Sequence, residues 1–88
     1  MGFYKGSNAK ENDEFKYEVL QECGTISTNE KGWVKKLRLI SWNGKEPKYD
    51  IRAWKETEDG ERMSKPGGLT GAELEALYGI LKRMAEEG

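Results

Sequence analysis

Apolar and polar positions alternate in three stretches of the chain, and a fourth stretch follows a helical period. Phe15-Lys16-Tyr17-Glu18-Val19 alternates and opens a first strand. The alternation lapses at Cys23-Gly24 and resumes over Thr25-Ile26-Ser27-Thr28, so a bulge or bend is expected near Gly24. Asn29-Glu30-Lys31-Gly32 has turn composition. Trp33 to Trp42 forms a second strand and Lys48 to Trp54 a third, with the hairpin signal Asn43-Gly44 between them.

Parity fixes how these two strands pair. Leu37 and Leu39 on one, and Tyr49, Ile51 and Ala53 on the other, are all odd-numbered. Directly paired residues share a face, so odd must oppose odd. A two-residue loop would set Leu39 against Lys48; the loop therefore has odd length, 43–45 or 43–47, and the longer choice keeps Pro47 out of the ladder. Lys55 to Glu61 reads as an acidic loop, and Arg62 to Lys65 as a short fourth strand ended by Pro66.

The helix begins at Thr70, where Thr70 and Glu73 form a capping box and Leu69 and Leu74 the positions of a hydrophobic staple. It runs from about Gly71 to Ala85. Leu74, Leu77, Tyr78, Leu81 and Ala85 make its main stripe, and Ile80 and Met84 widen the apolar arc to roughly 160°. One small sheet covers less than that. The excess, with Gly79 allowing close approach, points to a second helix from another subunit; the plainer alternative leaves Ile80 and Met84 partly exposed.

With the odd face on the helix, the even face carries Lys36, Arg38, Ile40 and Trp42 beside Lys48, Asp50, Arg52 and Trp54. A single helix cannot cover both faces, so this one is expected to be open. Two indoles among four cations suit single-stranded nucleic acid, with bases on the rings and phosphates on Lys and Arg. The alternative folds Trp42 and Trp54 back at the strand ends to cap the core. Trp33 has the parity of the core edge.

Composition narrows the function further. The formal net charge is −1, but residues 31–55 hold eight basic residues against two acidic, while the remainder holds seven against fourteen. That pattern suggests a local anion-binding surface. With no histidine in the chain, the commonest acid–base catalyst near neutral pH is missing. The single Cys23 has neither a disulfide partner nor a histidine, no zinc-type spacing exists, and no metal or cofactor is expected. Lys65-Pro66-Gly67-Gly68-Leu69-Thr70 lacks the ending of a phosphate loop. Residues 1–14 are polar without period and are expected to be a disordered arm before one domain over 15–88; they show no secretory signal, and no run is long enough to cross a membrane.

The segment from Gly32 to Gly44, with Ser41-Trp42-Asn43-Gly44, and that from Pro47 to Trp54, with Asp50-Ile51-Arg52, resemble the bacterial branch of the positive-cofactor-four family of transcriptional coactivators. Lys65 after an acidic stretch and the Leu69-Thr70 helix entry extend the resemblance to about residues 15–85. It implies an α+β fold, a strongly curved four-stranded antiparallel sheet followed by one helix (ββββα), dimeric through that helix. It also implies single-stranded DNA binding with little sequence preference, in a cytoplasmic, nucleoid-associated protein serving transcription regulation, replication or repair. The nucleic-acid-binding residues expected are Trp42, Trp54, Lys36, Arg38, Lys48, Arg52 and Lys65. Pro66-Gly67-Gly68 stands where the family has strand-forming residues, and a Ser- and Lys-rich tail is absent, so coactivator activity is not carried over. Single-stranded RNA is the nearest alternative ligand. A protein-interaction module using the open tryptophan face is the alternative from another class; an enzyme is disfavoured.

Overall fold

The computed structural model describes residues 16–88; the N-terminal arm expected over 1–14 lies outside them. Four antiparallel strands form one sheet in the order β1-β2-β3-β4, and one helix follows: β1 Tyr17–Thr28, β2 Val34–Trp42, β3 Lys48–Thr57, β4 Gly60–Met63 and α1 Gly71–Glu87. The α+β architecture expected from the sequence is present.

Odd opposes odd, as parity requires: Leu37 pairs with Ile51, Leu39 with Tyr49, Arg38 with Asp50 and Lys36 with Arg52. The last pair is Ile40–Lys48, the register of the 43–45 loop and not of the longer choice, and residues 43–47 lie between the strands outside the ladder. Asn43 (φ 53) and Gly44 (φ 75) occupy left-handed backbone in that loop, which asparagine and glycine tolerate best.

β1 is more irregular than its sequence suggested. Its pairing with β2 shifts register three times, leaving Leu20, Cys23 and Ile26 as extra residues. The expected bulge beside Gly24 is the middle one. Each bulge restores the same side of the strand after three residues instead of two, so Cys23 and Ile26 both enter one core cluster with Leu37 and Ile80.

The acidic loop expected over 55–61 is mostly strand. β3 continues to Thr57, turns through Glu58-Asp59 with Gly60 at φ 113, and β4 starts there rather than at Arg62. Ser64 still donates its N–H to Ala53 O at 2.9 Å, but Lys65 falls beyond the strand.

The helix stripe is turned relative to expectation. Ile80 is the buried helix residue, with Ala76, Leu77 and Met84 packed beside it, so Ile80 and Met84, which only widened the arc, are seated on the sheet together with Leu77 of the expected main stripe. Leu74, Tyr78 and Leu81, from the expected main stripe, are 59, 66 and 47% exposed. The reason lies in β1, on which the helix chiefly rests. Gly24 offers no side chain there, and Ile80 fills the space; a Cβ at Gly24 would lie 2.8 Å from both Ile80 Cδ1 and Cγ1. Because the helix sits over β1 rather than β3, Tyr49, expected in the core, is 58% exposed.

Glu73 ties the helix to the sheet. Its N–H donates to Thr70 Oγ1 and its carboxylate accepts the Thr70 N–H, completing the capping box. The same carboxylate accepts from Ser27 Oγ at 2.6 Å and from Lys35 Nζ at 3.0 Å. These bonds, with the Ser27 hydroxyl contributing most, lower its pKa to about 2.

Candidate nucleic-acid interface

The even face of β2 and β3 looks away from the helix, as expected, but it is not open throughout. Ile40, Trp54, Arg38 and Asp50 are 0, 2, 4 and 9% exposed. The covering comes from the sheet itself. Tyr17, at the start of β1, reaches across β2 to bring its ring within 5.5 Å of Trp54, and its hydroxyl donates to Glu61 of β4 at 3.3 Å. Contact between the first strand and the last requires a sheet rolled toward a half-barrel, with the even face concave.

Arg38 is the centre of that concavity. Its guanidinium donates to Glu22 through Nε (3.0 Å) and Nη2 (2.7 Å), and to Glu61 through Nη1 (3.2 Å) and Nη2 (2.9 Å). Its Cζ lies 4.4 Å from the centroid of the Trp54 ring. The hydrogen bonds to Glu61 and Glu22 outweigh the burial and hold its pKa above the ordinary arginine value. In return, Glu61 is held below the usual carboxylate range, first by its bonds from Arg38. Arg52 is likewise engaged, with Nε donating to both Asp50 oxygens at 2.9 and 2.6 Å and its Cζ 4.9 Å from the Trp42 centroid.

The seven residues that the sequence singled out therefore separate into two sets. Arg38, Arg52 and Trp54 are interior or half-buried, and their charge and ring faces are met by Glu22, Glu61, Asp50 and Tyr17. Lys48 and Lys65 are exposed, Lys36 and Trp42 half-buried, and among the described residues none of the three lysines makes an ion pair. The expectation of an open face with four free cations is thus corrected: each arginine on it has an acid to neutralise it, because a desolvated guanidinium without a counter-charge is costly.

Tyr17, Glu22 and Glu61 were assigned no role from the sequence. Arg38 on a face with Ile40 and Trp54 could have announced that acids were needed. Which acids remained hidden, since three bulges scramble the parity of β1. A hollow of about 190 Å³ opens at the far end of the concave face, lined by Gly32, Val34, Lys36, Trp54, Lys55, Glu56 and Glu61. Trp33, expected at the core edge, is half-buried, with Lys55 Nζ 6.0 Å from its ring centroid.

A rolled four-stranded sheet backed by one helix, with rings and unpaired lysines on its concave side, has the character of a small nucleic-acid-binding domain. The chain belongs to the Transcriptional Coactivator p15 (PC4) family, whose model matches residues 29–79. It is also 49% identical over 74 residues to an uncharacterized protein of Treponema pallidum (strain Nichols), a match covering 84% of this chain and 85% of that protein. The family is a nucleic-acid-binding, non-enzymatic one, and membership points to single-stranded nucleic acid as ligand and to a coactivator-like role. No helix among the described residues is long and apolar enough to cross a membrane.

Proposed function

We propose that this protein is a non-enzymatic, homodimeric binder of single-stranded DNA with little sequence preference. Phosphates meet Lys36, Lys48 and Lys65, and bases stack against Trp42. Arg38, Arg52 and Trp54 build and stiffen the surface beneath them. The observation that carries this reading is the coexistence, on one concave face, of a partly exposed indole and lysines without ion pairs, in a member of this family. Stacking needs only a π-face and tolerates any base, so weak sequence preference follows.

The dimer rests on the helix. Leu74, Tyr78 and Leu81 stand at i, i+4 and i+7 on one side of α1 and are about half to two-thirds exposed. A second copy of the same helix buries that stripe, and light scattering should return twice the 10.0 kDa chain mass. A mass of one chain rejects the dimer.

Binding is tested by tryptophan fluorescence titrated with oligo-dT, oligo-U and a duplex of equal length. Oligo-dT should quench the signal, and log K should fall with log salt by roughly 0.7 per phosphate neutralised. Duplex binding as tight as single-strand binding would reject stacking and leave only electrostatics. Tighter binding of oligo-U would move the ligand class to RNA. Localisation with the nucleoid, and service in transcription, replication or repair, follow from such a ligand.

A further inference from the structure

We propose that Tyr17 is a base-contacting residue of the single-strand site, standing at the surface where the sequence pattern would place Trp54. The inference rests on the single-strand reading above and names the ring that completes it. A stacking platform must offer a ring face that solvent can reach. Trp54 does not: it is 2% exposed, with Arg38 over one side of the ring. The ring that covers it is Tyr17, 5.5 Å away and tilted by 43°. Tyr17 also lies 5.6 Å from Trp42 at a tilt of 41°, so the three rings form one continuous aromatic cluster. Within it Trp42 and Tyr17 are the half-buried members that retain a solvent-facing surface.

The backbone holds Tyr17 in place while its side chain keeps some latitude. Asn43, in left-handed backbone, donates its N–H to Lys16 O at 2.7 Å, and its Oδ1 accepts the Lys16 N–H at 2.7 Å. These two bonds pin the start of β1 to the β2–β3 loop. The phenol's own bond to Glu61, at 3.3 Å, is long for a hydroxyl donor, so packing rather than that bond holds the ring. Cations flank it. Lys16 precedes it, and Lys48 lies on the same concave face, paired with Ile40, which in turn pairs with Val19 two residues along β1. Both lysines are exposed; Lys48 shares the face of Tyr17 and is the cation placed to meet a phosphate beside a base seated there. Two acids act on the phenol: Glu61, which accepts its hydrogen bond and whose charge is committed to Arg38, and more weakly the exposed Glu56. Tyr17 lies outside the matched segment 29–79, so β1 adds a ring to the site that the matched segment does not contain.

The test uses oligo-dT carrying a single 5-iodouracil, irradiated in complex with the full chain, with the cross-linked peptide mapped. An adduct on Tyr17 is expected. Tyr17→Leu should weaken oligo-dT binding about fivefold or more, the lower end for a lost stacking ring, and Tyr17→Phe should recover most of the loss. If Tyr17→Leu keeps its circular dichroism and binds as tightly as wild type, the role is rejected. Tighter binding by Tyr17→Leu also rejects it, making the ring a plug. A variant that fails to fold leaves the wild-type cross-link to decide, and adducts that leave Tyr17 unlabelled, including ones confined to Trp42, overturn the proposal. Wild-type protein that does not bind oligo-dT at all rejects the single-strand reading instead, a result distinct from any loss confined to Tyr17.

Discussion

The two faces of the sheet have interiors of opposite chemistry. On the helix side, Cys23, Ile26, Leu37 and Ile80 exclude water with apolar surface. Burial there also raises the Cys23 thiol pKa, with Glu22 adding to the effect. On the concave side, the interior is a guanidinium between two carboxylates, an indole under it and a phenol against that indole. The first face tolerates volume changes poorly, and its ionic tie, Lys35–Glu73, lies at the start of the helix beside this apolar cluster. The second depends on charge balance, and its strength comes from saturation: Arg38 spends its donors on Glu22 and Glu61. A charged side chain in a sequence is thus no guide to exposure when partners of opposite sign can reach it.

Removing the guanidinium is the harshest way to break the contrast. Arg38→Ala leaves Glu61 facing the interior without its partner and opens space over Trp54. Urea unfolding should show a loss of about 3 kcal/mol, the low end for a broken buried ion pair, because Glu22 is well exposed. The acid limb of the stability curve should change with it. Glu61 is depressed in the folded state, so its contribution is full above the unfolded value of 4.5 and fades as pH falls through the folded one. In Arg38→Ala that part of the acid dependence should vanish. An unchanged acid limb would show that the pair contributes nothing.

A single methyl tests the other face. Gly24→Ala drives a Cβ into Ile80 and should cost about 1–3 kcal/mol. Ile80→Ala alone also destabilises, but the double variant should lose less than the sum of the singles, a coupling readable from one double-mutant cycle. Additive losses would mean that helix and strand relax apart without strain.

The smallest expected effect belongs to the tie between helix and sheet. Glu73, with a folded pKa of about 2 against an ordinary 4.5, contributes stability above pH 4.5 that is lost as pH falls toward 2. Glu73→Gln should therefore melt lower than wild type at pH 7 and match it near pH 2. A constant gap across that range would rule out the charge as the source.

Much of this fold was legible because β2 and β3 obey strict alternation. Parity set odd residues opposite odd and gave the side on which the helix packs, but it left two registers open, and the strands adopt the one of the shorter loop. The capping box at Thr70 and Glu73 placed the helix start to the residue. Three things were hidden. Bulges at Leu20, Cys23 and Ile26 advance β1 by three residues at a time, a spacing that alternation cannot decode. The helix chose Ile80 over the richer Leu74–Leu81 stripe because of a vacancy at Gly24, a property of a strand far off in sequence. The candidate site was half legible: Lys36, Arg38, Trp42, Lys48, Arg52 and Trp54 share one face as parity requires, but the acids Glu22 and Glu61, and Tyr17, come from β1 and β4, which curl inward only in three dimensions.

The bulges have one more consequence. β1 and β4 are the outer members of the sheet, and an outer strand with straight, unpaired amides invites another chain to extend it. Here twelve residues of β1 run against nine of β2, so its outward-facing amides lose the even spacing that a docking strand needs. β4, at four residues, is too short to serve as a template. A sheet edged in this way gives another chain no template along which a fibre could grow.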